Sequence, residues 1–363
     1  MKTPTLRVST RKGLFTLKKQ GRDWTITSVD FPGEPVTMFL QDPRDGSCYA
    51  ALNLGHFGVK LWRKLPREKE WKEIACPAFP KVENPDASDP APSLGQIWCL
   101  ETGGTDQPGF LWCGTIPGGL FSSRDRGDSW QLNESLWNAP ERKQWMGGGY
   151  DKPGIHSICV DPRKSHHVSL AVSSGGVWTT DDGGESWKNI GHGLRAEYMP
   201  PEKQFDLINQ DPHRMVACPA NPDFLWIQHH NGIFSSTDGG LNWREHKGVK
   251  PSVFGFAVAV HPADPQTAWF VPAIKDERRI PVAGKLSVTR TRNAGKSFQS
   301  LRKGLPQKHA YDLVYRHCLE VDGTGRRLGF GSTTGHVWIS ENSGDSWKLV
   351  SAHLPPVYAI RWA

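Results

Sequence analysis

The chain has 363 residues, a net charge of +7 and a pI near 9.0; it carries 16 tryptophans but only 6 tyrosines. No apolar run reaches membrane-spanning length. The basic residues are scattered as singles and pairs such as Arg11-Lys12 and Lys18-Lys19, whereas a nucleic-acid footprint needs a dense basic stripe. Neither a membrane nor a specific nucleic acid is therefore expected as a partner.

Along the chain, the opening Met1 to Arg7 lacks the apolar core of a signal peptide, so cytoplasm is the expected location. Leu6 to Ser9, Gly13 to Thr16 and Trp24 to Ile26 read as short strands. From Trp24 onward a marker aromatic recurs: Trp24, Trp71, Trp130, Trp187, Trp243, Phe298 and Trp347, at spacings between 47 and 59 residues by subtraction. Nine positions earlier stand Phe15, Trp62, Phe121, Trp178, Phe234, Thr289 and Trp338. A repeat of this length decides the architecture before any single element is read. Between the paired positions lies one turn, Ser123 to Trp130, rebuilt at Thr180 to Trp187, Ser236 to Trp243, Thr291 to Phe298 and Ser340 to Trp347. Its third position is Asp125, Asp182, Asp238, Asn293 or Asn342, and its fifth is always glycine. Asp and Asn accept bonds from backbone N–H groups just ahead of them, and glycine supplies the left-handed backbone of a tight reversal. One turn built five times reads as a hairpin staple, not as a set of calcium ligands or catalytic acids.

Each repeat divides into four strands, as at residues 156–160, 169–173, 177–180 and 186–190 in the fourth copy. Four antiparallel strands per unit, arranged radially, make a β-propeller blade. The N-terminal strands match the second to fourth of a blade, and Val357 to Trp362 supplies the missing first. The expected fold is thus all-β: one domain over 1–363, a seven-bladed propeller closed by both termini in a shared blade, with no open sheet edge.

The turn motif resembles that of the Asp-box (bacterial neuraminidase repeat) propellers, which include sialidases, xyloglucanases, the sortilin ectodomain and photosystem II assembly factors. Gly118-Gly119-Leu120-Phe121, Gly175-Gly176-Val177-Trp178 and Phe254-Gly255-Phe256 are similar to a single-domain bacterial subgroup labelled sialidase-like or glycosyl-hydrolase-like. The sialidase chemistry does not carry over residue by residue. Arg279-Ile280-Pro281 falls in an inserted loop of the sixth blade, and Tyr315 and Glu320 are five apart, on opposite strand faces. Paired carboxylates for a xyloglucanase-type reaction are not identifiable.

Seven cysteines form no Cys-x-x-Cys pair. Cys99, Cys159 and Cys318 fall at equivalent places in strand-like segments and read as small residues packed between sheets.

Propellers bind ligands mostly at one end of the central channel, lined by the starts of the innermost strands and by the turns between second and third strands. The repeat register places Thr37, Gln96, His156, His213, Phe256 and Tyr315 at the strand starts, and Arg11, His56, Ser174, His229, His230 and His336 in the turns. Convergent histidines act as acid and base or bind a metal, so His156 and His213 are the candidate catalytic pair. His156, His213 and His230 are the candidate ligands of a divalent metal, although no His-x-x-x-His spacing supports it. Three long connections, 72–95, 131–155 and 188–211, roof this end and bring Glu141 and Glu197 as candidate catalytic acids. They also bring Trp145, Tyr150 and Tyr198 as stacking groups for a sugar-like ring. Arg278 and Arg279, in the sixth-blade loop, suit a carboxylate or phosphate. Gln96, His56, His229, His230, Trp145, Tyr150, Arg11, Arg278 and Tyr315 thus form the expected binding set. Three functions follow: a hydrolase or lyase on a carbohydrate-like or anionic small molecule, a non-catalytic binding or assembly propeller, and a metal-dependent enzyme with channel histidines.

Overall fold

A computed structural model describes residues 3–81, 91–148 and 150–363. Residues 82–90 of the expected 72–95 connection and Gly149 of the 131–155 connection lie outside the described residues. Seven four-stranded antiparallel sheets surround a channel. Their innermost strands are Val36–Gln41, Gln96–Thr102, Ile155–Asp161, Pro212–Cys218, Gly255–His261, Leu319–Val321 and Val357–Trp362. The last of these pairs antiparallel with Thr5–Thr10, Val8 facing Ile360 and Leu6 facing Trp362. The shared blade and the seven-bladed ring are as the repeat required.

The repeated turn is a staple in atomic detail. In the fourth blade the Thr180 hydroxyl donates to Asp182 Oδ1 (2.6 Å) and accepts from the Gly184 N–H (3.0 Å). Asp182 Oδ1 accepts from the Ser186 N–H (3.0 Å), and Gly184 adopts φ +96°. The same bonds recur around Asp125, Asp238, Asn293 and Asn342. Because the staple needs only one side-chain oxygen that accepts from the hydroxyl two residues before it and the N–H four residues after it, Asn replaces Asp without loss of the turn. The partner positions Phe121, Trp178, Phe234 and Trp338 are almost wholly buried between neighbouring sheets. Trp130 and Trp187 are only half-buried, and their indole N–H groups donate to Ala75 O and Asn133 Oδ1 in the neighbouring blade's loop. These markers tie blade to blade as well as filling the core.

Two departures from the sequence reading shape the site. The 131–155 connection carries a helical turn, Glu134–Trp137, whose N–H groups are capped by Asn133 Oδ1 accepting from Leu136 N (3.0 Å). In the seventh blade, residues 315–318 are not strand; the inner strand starts only at Leu319. The backbone there turns, with Cys318 N–H donating to Tyr315 O (2.9 Å), and presents consecutive side chains to the channel mouth. Among the described residues all seven cysteines are free thiols, and burial between sheets pushes Cys99 and Cys318 up to about 12. No helix is long and apolar enough to cross a membrane among the described residues.

Candidate functional site

A cavity of about 700 Å³ opens at the channel mouth. The strand-start register contributes Thr37, Gln96, His213, Phe256 and Tyr315; the turns contribute Ser174 and His230. Tyr150 and Tyr198 come from the long connections, and Asp276 and Arg279 from the sixth-blade insertion. Of the expected catalytic and binding residues, Gln96, Tyr150, His213, His230 and Tyr315 meet here, together with the register and loop residues Thr37, Ser174, Tyr198, Phe256 and Arg279.

The others do not line it, each for a local reason. His156 is fully buried beneath the floor. Its Nδ1 meets Ser157 Oγ (2.9 Å), its ring packs edge-on against Trp98 (5.4 Å), and its carbonyl accepts from Arg214 and from His317 Nε2 (2.8 Å). Burial holds its pKa well below the ordinary histidine value, so the expected His156/His213 catalytic pair does not form. His229 is buried behind the wall and holds backbone: the Asp211 and Asn231 N–H groups approach its ring nitrogens at 3.1 and 3.2 Å. Trp145 is buried against Trp178 (5.7 Å) and supports the loop from below. His56 is exposed on a short turn beside Phe57. Glu141 is exposed on a 3₁₀ turn, Pro140–Gln144. Glu197 pairs with Arg195 at 2.8 Å outside the cavity. Arg11 and Arg278 are exposed; in the insertion it is Arg279 that faces inward, held by Asp276 Oδ1 (2.6 Å) and lying over Phe256 (5.4 Å).

Two groups that the sequence reading did not single out, Arg316 and Asp211, shape the cavity. The first is Arg316, only 6 % exposed. Its guanidinium carbon lies 4.8 Å from the Trp98 ring centre and 5.5 Å from that of Phe256. Its Nε is buried without a hydrogen-bond partner, and among the described residues no carboxylate pairs with it. Burial lowers its pKa, while the more distant Asp211 charge opposes that. A buried cation without a counter-ion is costly; here the aromatic faces offset part of the cost and the free donors face a cavity.

The second is Asp211 with His213 and His230. Asp211 Oδ2 lies 3.6 Å from His213 Nε2 and 3.4 Å from His230 Nδ1. Its Oδ1 accepts from the Ser174 N–H (3.2 Å), where Ser174 is held at φ +50°. Burial pushes the Asp211 carboxyl up, but His213 and His230 outweigh it and hold the group well below the usual range. His213 stacks on Phe256 (4.4 Å between centroids), and its Nδ1 sits 2.7 Å from the Gly255 carbonyl. A carbonyl only accepts, so Nδ1 carries the hydrogen and the Nε2 lone pair faces Asp211 and the cavity. Burial keeps His213 below its ordinary pKa; for His230 burial acts the same way but Asp211 prevails and raises it. The predicted metal set His156, His213 and His230 is thus corrected: Asp211 stands where His156 was expected, and the three side chains present ligand atoms within 4.8 Å of one another.

Deeper in the channel, Glu320 lies 3.8 Å from Arg361 and accepts from the Trp362 N–H (2.6 Å). Burial pushes it up to about 7 against the pull of Arg361. It does not line the cavity with Tyr315, in keeping with their five-residue offset.

No family model matches the chain, and no curated protein matches it. Solved structures do. The chain is similar to the periplasmic gluconolactonase of Pseudomonas aeruginosa at 10 % identity and TM-score 0.62, covering 100 % of this chain and 99 % of that one. An ancestral GH74 enzyme is similar at 16 % identity and TM-score 0.57 over 91 % of this chain, which spans only 38 % of that enzyme's length. A YCF48 protein bound to a D1 peptide matches at 13 % identity and TM-score 0.51, over 87 % of this chain and 82 % of that one. At these identities the likeness establishes the propeller fold alone.

Proposed function

We propose that this propeller is a hydrolase of a small, anionic, carbohydrate-like molecule, and that the bond it cleaves is of the ester or lactone type. One observation carries the reading: Arg316 is a buried guanidinium with no carboxylate partner among the described residues, stacked between Trp98 and Phe256 and open to a cavity of about 700 Å³. A ligand carboxylate or phosphate supplies the counter-ion this cation lacks. The volume suits a single sugar-sized molecule, and Tyr150, Tyr198 and Gln96 add the stacking faces and polar contacts that sugar rings take.

The Asp211–His213–His230 cluster lies on the same cavity and activates the attacking water. In the reaction the water oxygen bonds to the acyl carbon, the acyl carbon–oxygen bond breaks, and the proton lost by water reaches the leaving alkoxide. Lactone and water thereby become a hydroxy acid. Glycosidic cleavage fits less well, because it calls for two working carboxylates. Of the two acids lining the cavity, Asp276 is held by Arg279. The gluconolactonase among the structural neighbours agrees with this choice of bond.

The test is proton release, followed in a weakly buffered indicator assay, from a panel of sugar lactones and sugar-acid esters. Wild type should accelerate at least one substrate; Asp211→Asn should lose most of kcat, and Arg316→Met should raise KM. Tight binding of sugar acids with no hydrolysis of any panel member would instead make this a binding propeller.

A further inference from the structure

We infer that Asp211, His213 and His230 form a binding site for one divalent transition-metal ion of the zinc class, resting on the reading of this cavity as hydrolytic. The donor set is a carboxylate and two imidazoles, the combination that catalytic zinc sites use while keeping a fourth position open. The spacing fits. Ligands about 2.0–2.1 Å from a tetrahedral zinc stand about 3.3–3.4 Å apart, and the carboxylate-to-imidazole separations are 3.4 and 3.6 Å. The two imidazole nitrogens are within 4.8 Å of each other, so a small turn of His230, the least buried of the three, closes the third edge.

The surroundings point the same way. His213 is 2 % exposed and donates its Nδ1 hydrogen to the Gly255 carbonyl at 2.7 Å. That bond fixes the tautomer in which Nε2 is a ligand, which is the outer-shell arrangement of metal-bound histidine. With that hydrogen committed to Gly255, the Nε2 lone pair of the neutral ring is directed into the gap toward Asp211 Oδ2, 3.6 Å away, where a cation would be shared by both. Asp211 is oriented for it, since Oδ1 is taken by the Ser174 N–H and Oδ2 is left toward the histidines. His229 fixes the Asp211 backbone from behind. The open side of the cluster faces the cavity, where a metal-bound water would be the attacking group and Arg316 would hold the anionic part of the substrate. An ion held there would lower the pKa of a bound water toward neutrality.

Purified full-length protein, stripped with chelator and dialysed, is titrated with Zn²⁺ by calorimetry and with Co²⁺ by visible absorption. Wild type should take one ion per chain, with the intense d–d bands of a four- or five-coordinate cobalt site. Asp211→Asn should weaken binding by at least about 100-fold. His230→Ala, at a partly exposed side chain, keeps the test readable if the buried substitution impairs folding. Arg316→Met should keep the cobalt spectrum. Absence of saturable binding in wild type, or binding unchanged in both Asp211→Asn and His230→Ala, would overturn the site. If lactone hydrolysis then persists in metal-free protein, the hydrolase reading stands without the metal; if the ion binds and no substrate is turned over, the metal stands without the hydrolase.

Discussion

Arg316 gives the sharpest consequence, because its removal should move binding and stability in opposite directions. Arg316→Met keeps a long, polarisable side chain between Trp98 and Phe256 while deleting the buried charge. Binding of a sugar acid such as D-gluconate should lose one charge-assisted contact, about 1.5–3 kcal/mol, which is about a 10- to 150-fold rise in Kd. Stability should rise, since no carboxylate is left unpaired by the change. Replacing buried charges by apolar groups is worth about 1–4 kcal/mol in favourable cases. At about 2.1 cal/mol/K per residue of unfolding entropy, a chain of 363 residues converts each kcal/mol into about 1.3 °C, so Tm should rise by about 1–5 °C. Calorimetric titration with D-gluconate and a thermal melt of both proteins check the pair of signs. A variant that melts lower while binding the acid unchanged would refute the account of Arg316 as an anion anchor held at the expense of stability.

Other consequences follow from the same structure. Ser236→Ala removes the acceptor for the buried Gly240 N–H and the donor to Asp238. It should cost about 1–3 kcal/mol in denaturant unfolding with ligand binding unchanged. His246 stacks on Trp226 and is held near 4 by burial. Below the unfolded value of 6.5 the unfolded chain therefore binds the extra proton, and stability falls as pH drops from 6.5 toward 4, by up to about 1.4 kcal/mol per unit. Melts of His246→Gln across that window should show a shallower slope. Glu320 has the opposite sign. Its folded value is raised to about 7 from 4.5, so the stability it confers is present below 4.5 and is lost as pH rises from 4.5 through 7. Glu320→Gln should flatten that limb.

The propeller was legible because its signal is repeated. Seven aromatic markers, six of them paired with a second aromatic nine positions earlier, and five copies of one turn over-determine the blade, and the strand phase at the ends shows how the ring closes. The repeat register also carried half of the site: Gln96, His213 and Tyr315 reach the cavity because strand starts are set by the fold. His156 obeyed the same register and still failed, since its ring packs under Trp98 while Arg214 and His317 hold its carbonyl. Asp211 and Arg316 were unreadable for a different reason. Asp211 sits one residue before the fifth-blade inner strand, and Arg316 follows the register position Tyr315 in a segment read as strand, where alternation would turn it away from the channel; that segment is in fact a turn. What distinguishes Arg316 is the absence of a carboxylate partner among the described residues, a property of three-dimensional surroundings that no local pattern encodes. In the insertion, Arg278 and Arg279 are adjacent and equivalent in type; only the hydrogen bonds of Arg279 to Asp276 decide which one faces inward.

The measurement closest to the central claim is a crystal structure of the protein soaked with D-gluconate. The predicted result is density in the channel-mouth cavity with the carboxylate within hydrogen-bond distance of Arg316 and the hydroxyls toward Asp211, His213 and His230. An empty cavity at saturating acid, or the acid bound only at exposed residues such as Arg11 or Arg278, would contradict it.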